Sequence, residues 1–219
     1  MDIGDSTAFI FASASVVGSV AFAVTGFLTG VRKRLDLMGV FVLAFLSANG
    51  GGVVRDLLVD RMPTIMISMA PFWQTAGAML LAMLLRLQDA GLERKRVFVV
   101  SDAVGLVAFG IHGALIGIEE GLHCFGVISL SFLTATGGGI VRDILVNDIP
   151  MVLHEDFYGS VALLLALAVY GLHLAGAISP LSLLAVFVGG LVLRLIARKR
   201  RWKLPKVRSW NDDPPLNVG

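Results

Sequence analysis

GGGVVRDLLVDRMP, from Gly50 to Pro63, returns 87 residues later as GGGIVRDILVNDIP, from Gly137 to Pro150. Extending outward without gaps, residues 15–63 and 102–150 are identical at 24 of 49 positions. The matches include a glycine ladder, Gly18/Gly105, Gly26/Gly113, Gly30/Gly117 and Gly39/Gly126, together with Phe22/Phe109 and Phe45/Phe132. Apolar composition alone scatters identities; it does not place a glycine ladder and a GGGxxRD motif at one offset. The chain is therefore an internal duplication.

The setting of the repeat is lipid. With 219 residues, 56% apolar, 16% charged and a mean hydropathy of +0.83, the chain has too little polar surface for a water-soluble globule. Apolar runs extend over about Thr7 to Val31, Leu37 to Val59, Met66 to Leu85, Val97 to Ile118, Cys124 to Val146, Phe157 to Ile178 and Leu181 to Ala197. Each approaches the ~20 residues a helix needs to cross a bilayer, and none alternates as a barrel strand would. An all-α membrane protein with seven transmembrane helices is expected. Its single channel-sized domain covers 1–200, with one repeat at about 7–86, a second at about 97–178 and an additional C-terminal helix at about 181–197. Residues 201–219 read as a basic, disordered cytoplasmic tail. The start MDIGDST lacks the basic region of a cleaved signal, so the first span is expected to remain. The single cysteine, Cys124, reads as a small apolar helix residue.

Three spans per copy is an odd number, so the second copy enters the membrane inverted. Loop charge agrees independently. Arg32, Lys33 and Arg34 follow the first span, whereas Glu119 and Glu120 occupy the first two aligned positions in the second copy. Arg86, Arg94, Lys95 and Arg96 in the third connection, and Arg198 to Lys203 after the seventh span, fall on the same side as Arg32. The positive-inside rule then puts the N-terminus outside and the C-terminus in the cytoplasm, the bacterial inner membrane as the setting being what the resemblance given below implies. Asp148, Glu155 and Asp156 dissent, but acidic residues weigh little in that rule.

Three consecutive glycines each cost a helix interior about 1 kcal/mol relative to alanine. Gly50, Gly51, Gly52 and Gly137, Gly138, Gly139 are expected to kink or unwind the second and fifth helices, with close helix packing as the alternative. Arg55, Asp56, Arg142 and Asp143 follow one turn later, where a charge costs ~3 kcal/mol unless paired or hydrated. Because adjacent helical residues diverge by about 100°, pairing is expected across the pseudo-twofold axis, Arg55 towards Asp143 and Arg142 towards Asp56. Purely helix-locking salt bridges are the competing reading. The carbonyl ends of the first half-helices would offer a midplane cation site, with an arginine on each side as gate.

Ser47, Asn49, Thr134 and Thr136 precede the glycines and are candidates to line the same path, although such side chains also bond back to the preceding turn. His112 aligns with Thr25 and is a candidate as an intramembrane titratable group; Asp102 aligns with Ser15 and reads either as functional or as a helix cap. Trp73 and Trp202 read as interfacial anchors. No P-loop, HExxH, GxSxG or metal-ligand cluster occurs, so no enzyme, cofactor or metal site is expected. The basic residues speak of topology and anionic lipid, not nucleic acid.

Two GGGxxRD helices in an inverted three-plus-three arrangement with one further helix resemble the prokaryotic branch of the trimeric intracellular cation (TRIC) channel family, over roughly residues 5 to 200. The resemblance implies a homotrimer with a pore in each subunit, lined by the kinked second and fifth helices and passing monovalent cations, chiefly K+ with Na+ as the other candidate. It assigns the glycines at 50 to 52 and 137 to 139, with Arg55 and Arg142, to pore and gating. Animal members are associated with a phosphoinositide lipid, and a bound lipid is an expected partner whose site the motif does not locate. Inverted repeats are equally a transporter design, and relatives described as carriers of glycine keep a small-solute transporter open as the alternative.

Overall fold

The structure is a computed structural model describing residues 5–89, 91–154, 157–200 and 202, with side chains described outside 5–12 and 92–94. Nine helices are found among these residues: α1 Asp5–Arg32, α2 Leu37–Leu58, α3 Thr64–Ile67, α4 Ala70–Leu84, α5 Gly91–Glu119, α6 Cys124–Leu145, α7 Met151–His154, α8 Tyr158–Leu174 and α9 Pro180–Lys199. The 87-residue offset carries α2 onto α6 and α3 onto α7 residue for residue. Even the punctuation repeats. Asp36 caps α2 by accepting from Gly39 N at 2.7 Å, and His123 caps α6 by accepting from Gly126 N at 3.1 Å. Left-handed residues close the helices at Arg34 and Gly121, and again at Asp60 and Asn147. The tail beyond Trp202 lies outside the described residues.

Five helices are long and apolar enough to cross a membrane, and two shorter apolar helices, α4 and α8, stand where the third and sixth spans are expected. The run Met66 to Leu85 is not one helix. It breaks at Ser68, whose backbone is extended, and α4 restarts with Pro71 in its first turn. In the second copy, α8 restarts after Phe157 in the left-handed region.

The glycine triplets do not break their helices. α2 and α6 run uninterrupted through Gly50–Gly52 and Gly137–Gly139, contrary to the unwinding expected from propensity. What lies opposite explains the glycines. A Cβ on Gly51 would collide with the Thr134 carbonyl oxygen, and one on Gly138 with the Ser47 carbonyl oxygen. In glycine that direction holds only hydrogen, so the two backbones cross in contact, the close approach that small residues permit within membranes.

Ion pairs fix the relative direction of the repeats. At one end Arg32 Nη2 lies 2.7 Å from Asp148 Oδ2 and Lys33 Nζ 2.6 Å from Asp148 Oδ1, joining the end of α1 to the residues just after α6. At the other, Arg61, just after α2, pairs with Glu119 at 3.2 Å and with Glu120, at the end of α5. α2 begins where α1 ends and, being 22 residues long, finishes about 33 Å away. α6 must then finish where α2 begins, and the copies are inverted. The twofold relation recurs in the core, where Gly18 packs on Phe109, Gly105 on Phe22, and the two rings meet at 5.4 Å. α1, α2, α5 and α6 form the central layer, α4 and α8 lie outside them, and α9 rests on α5 and α8.

Candidate functional site

The chemistry concentrates one turn beyond the crossing, in two related arginine–aspartate pairs. Arg55 donates through Nε (2.8 Å) and Nη2 (2.6 Å) to Oδ1 of its own neighbour Asp56. Arg142 donates through Nε to Asp143 Oδ1 at 2.9 Å. Pairing across the axis is therefore corrected: each arginine takes the aspartate beside it. The divergence of adjacent Cβ directions did not forbid this, because the long arginine stem bends round the helix to bring Nε back. The second carboxylate oxygen is used too. Asp56 Oδ2 accepts from Thr64 N at 3.1 Å and Thr64 Oγ1 at 3.2 Å, while Asp143 Oδ2 accepts from Met151 N at 3.0 Å. Each aspartate thus ties its arginine to the first residue of the short helix that follows, α3 or α7.

The four charges are buried, at 6% exposure for Arg55, 4% for Asp56, 0% for Arg142 and 5% for Asp143. Arg142 has two more partners. Its Nη1 donates to Thr25 Oγ1 at 2.8 Å and Asp102 Oδ1 at 3.2 Å, and its guanidinium stacks on Phe98 at 4.9 Å. Asp102 is no cap: α5 starts eleven residues earlier, at Gly91, because the charged stretch before Val97 is helical as well. Arg194 of α9, also buried, stacks on Tyr158 at 4.6 Å. The sequence signals for these partners were modest: Asp102 facing Ser15 in the alignment, and one arginine inside the last apolar run.

The other sequence candidates lie close by. Ser47 and Thr134 are fully buried, with hydroxyls donating back to Leu43 O (2.5 Å) and Leu130 O (2.6 Å), so that their carbonyls meet the opposing glycines. Asn49 donates to Phe45 O and Thr136 to Phe132 O. His112 is buried within α5.

A cavity opens on each side of the crossing. The larger, about 780 Å³, is bordered by Thr29, Arg32, Lys95, Phe98, Asp143 and Arg198. It brings three basic clusters of the sequence to one face. The smaller, about 70 Å³, is bordered by Ser15, Asn49, Gly52, Arg55, Asp56 and Gln74. The two share no lining residue, and neither lining includes Gly51 or Gly138, where the helix backbones are in contact. At the rim of the large cavity, the hydrogen bond from Lys33 and the charges of Lys33 and Arg32 hold the Asp148 carboxyl below its ordinary range, against a smaller opposing effect of burial. Burial would lower the Arg61 guanidinium, but its hydrogen bond to Glu119 and the charges of both glutamates raise it.

The glycine transporter family model matches residues 13–87 and 99–174, one block on each repeat. The membrane protein YvgT of Bacillus subtilis is 34% identical over 206 residues, spanning 91% of this chain and 96% of the relative. A prokaryotic TRIC channel crystallised in 0.5 M KCl superimposes with a TM-score of 0.82 at 30% identity, over 90% of this chain and all of that one. The chain belongs to the prokaryotic branch of the TRIC family. A TRIC channel orthologue from Rhodobacter sphaeroides gives a TM-score of 0.80 at 31% identity, over 86% of this chain and 96% of that one. The inner membrane protein YadS of Escherichia coli is 34% identical over 162 residues, 68% of this chain and 72% of the relative. In this TRIC-family chain, the conspicuous repeat corresponds to a symmetric helix crossing flanked by buried arginine–aspartate pairs.

Proposed function

We propose that this TRIC-family protein is a monovalent cation channel, chiefly for K+, with a pathway inside each subunit of a homotrimer in the bacterial inner membrane. One observation carries the reading: two cavities lie towards opposite ends of α2 and α6, whose backbones meet at Gly51 and Gly138, and a buried arginine–aspartate pair, related to the other by the repeat, stands beyond the crossing on each helix. Ions would pass Gly50–Gly52 and Gly137–Gly139, beside Asn49, Thr136 and His112. The carbonyls of Ser47 and Thr134 stand at the constriction, and parting the helices by a few ångströms exposes them to replace part of a cation's hydration shell. Arg55 and Arg142, held by Asp56 and Asp143, act as gates, since a guanidinium turned into the path repels cations and one turned onto its carboxylate does not. The basic face holding Arg32, Lys95 and Arg198 is cytoplasmic, which places the N-terminus outside and the C-terminus inside. Anionic lipid is the partner expected at that face.

A second reading draws on the separation of the two cavities, which is also what a carrier alternating between faces requires, and on the glycine transporter name of the matching family model. Purified protein in a planar bilayer under a K+ to Na+ gradient separates the two. Discrete unitary currents reversing towards the K+ equilibrium potential support the channel. Saturable, glycine-stimulated flux without unitary current supports the carrier.

A further inference from the structure

The two motif arginines are equivalent in sequence and unequal in their surroundings. Arg142 is bound by two carboxylates, Asp143 and Asp102, and by Thr25, is covered by the Phe98 ring and is 0% exposed. Arg55 is bound by the carboxylate of Asp56 and borders a cavity of about 70 Å³. The 87-residue offset puts Ser15 where Asp102 stands, and Ser15 borders that same cavity. Serine is neutral and one bond shorter than aspartate, so at the position equivalent to Asp102 the first repeat has no carboxylate.

We infer that Asp102 is a positioning residue that immobilises Arg142, so that Arg55 alone of the pair moves. This refines the gating reading above and rests on it. The consequences of departure differ for the two sites. Arg142 leaving its seat removes a counter-charge from two carboxylates, Asp143 at 5% exposure, which keeps the Met151 N donor, and Asp102 at 2%, and a low-dielectric interior strongly disfavours that double loss. Arg55 leaving removes one from Asp56 alone, and Asp56 keeps both donors of Thr64. Each additional charge-assisted hydrogen bond lowers the population of the released side chain by about tenfold or more. The second repeat thereby provides a fixed wall and the first a hinged one, although the two helices carry the same motif.

The test is covalent modification of arginine by methylglyoxal in the full-length protein reconstituted in nanodiscs, with adducts at Arg55 and Arg142 followed by mass spectrometry. Arg55 is expected to react at least tenfold faster than Arg142. Asp102→Ser raises the Arg142 rate at least tenfold, Asp102→Glu keeps Arg142 protected, and Ser15→Asp lowers the Arg55 rate about tenfold. Continued protection of Arg142 in a folded Asp102→Ser protein overturns the inference. So does an unchanged Arg55 rate in Ser15→Asp, which decides the matter alone if Asp102→Ser does not fold. Bilayer recording of Ser15→Asp adds the functional arm, with dwell times lengthened about tenfold. Absence of any unitary current in the wild type would sink the channel reading while leaving the labelling result to stand or fall by itself.

Discussion

Gly138→Ala is the substitution that most sharply separates a glycine kept for close approach from one kept for flexibility. The added methyl would meet the Ser47 carbonyl oxygen and come within 3.2 Å of Phe22 Cδ2, so two helix backbones must part. Overpacking of this kind costs about 3 kcal/mol at the upper end of its range, and alanine returns about 1 kcal/mol of helix propensity, leaving a net loss of about 2 kcal/mol. Gly52→Ala is the matched control, because its methyl would meet only Arg55 Nη2, at 3.7 Å. It should gain up to about 1 kcal/mol from propensity. The variants therefore differ by about 3 kcal/mol, or about 6 °C or more in midpoint for a chain of this size. Thermal unfolding in one detergent reads the difference, and bilayer recording should show a raised open probability for Gly138→Ala, since the forced separation lies at the proposed constriction. Equal midpoints for the two variants would refute the close-approach reasoning.

Thr25→Val leaves a donor of the buried Arg142 without its acceptor, and chemical denaturation should register a loss of about 1.5–3 kcal/mol. Tyr158→Phe should not lower stability, because the buried hydroxyl has no hydrogen-bond partner among the described residues and the ring that stacks under Arg194 is retained. Tyr158→Leu, which removes the stacking face, should cost about 2 kcal/mol in the same assay. Asp148 has a lowered folded-state pKa, so its contribution is present above the ordinary carboxylate value and is lost as pH falls through the lowered one. With the side chain about a third exposed, that contribution stays below about 1 kcal/mol. Asp148→Asn should accordingly lower the melting temperature at pH 7, and the difference from wild type should disappear as the pH falls through the lowered pKa of the folded state.

Topology was legible because two independent signals, an 87-residue period and the exchange of Arg32 and Lys33 for Glu119 and Glu120, speak about the same helices. The exchanged charges also turn out to face partners of opposite sign, Asp148 on one side and Arg61 on the other. The role of the glycines was legible only as the alternative to unwinding. Propensity describes a helix alone, whereas Gly51 and Gly138 answer to carbonyls of residues 134 and 47 on another helix. The pairing of Arg55 with Asp56 was missed for a local reason, since Cβ directions say little about where a long guanidinium side chain ends. Asp102 was misjudged because hydrophobicity begins at Val97 while α5 begins at Gly91. An apolar run marks the lipid-facing length of a helix, not its hydrogen-bonded length.

Passage of ions through each subunit at the α2–α6 crossing under arginine control is the proposal with most at stake. It is tested most directly by single-channel recording of the purified protein in a K+ to Na+ gradient, with Arg55→Ala and Arg142→Ala measured alongside. Unitary cation currents in the wild type and altered gating in Arg55→Ala are expected. Silent bilayers with saturable glycine uptake, or currents that both substitutions leave unchanged, would contradict the proposal.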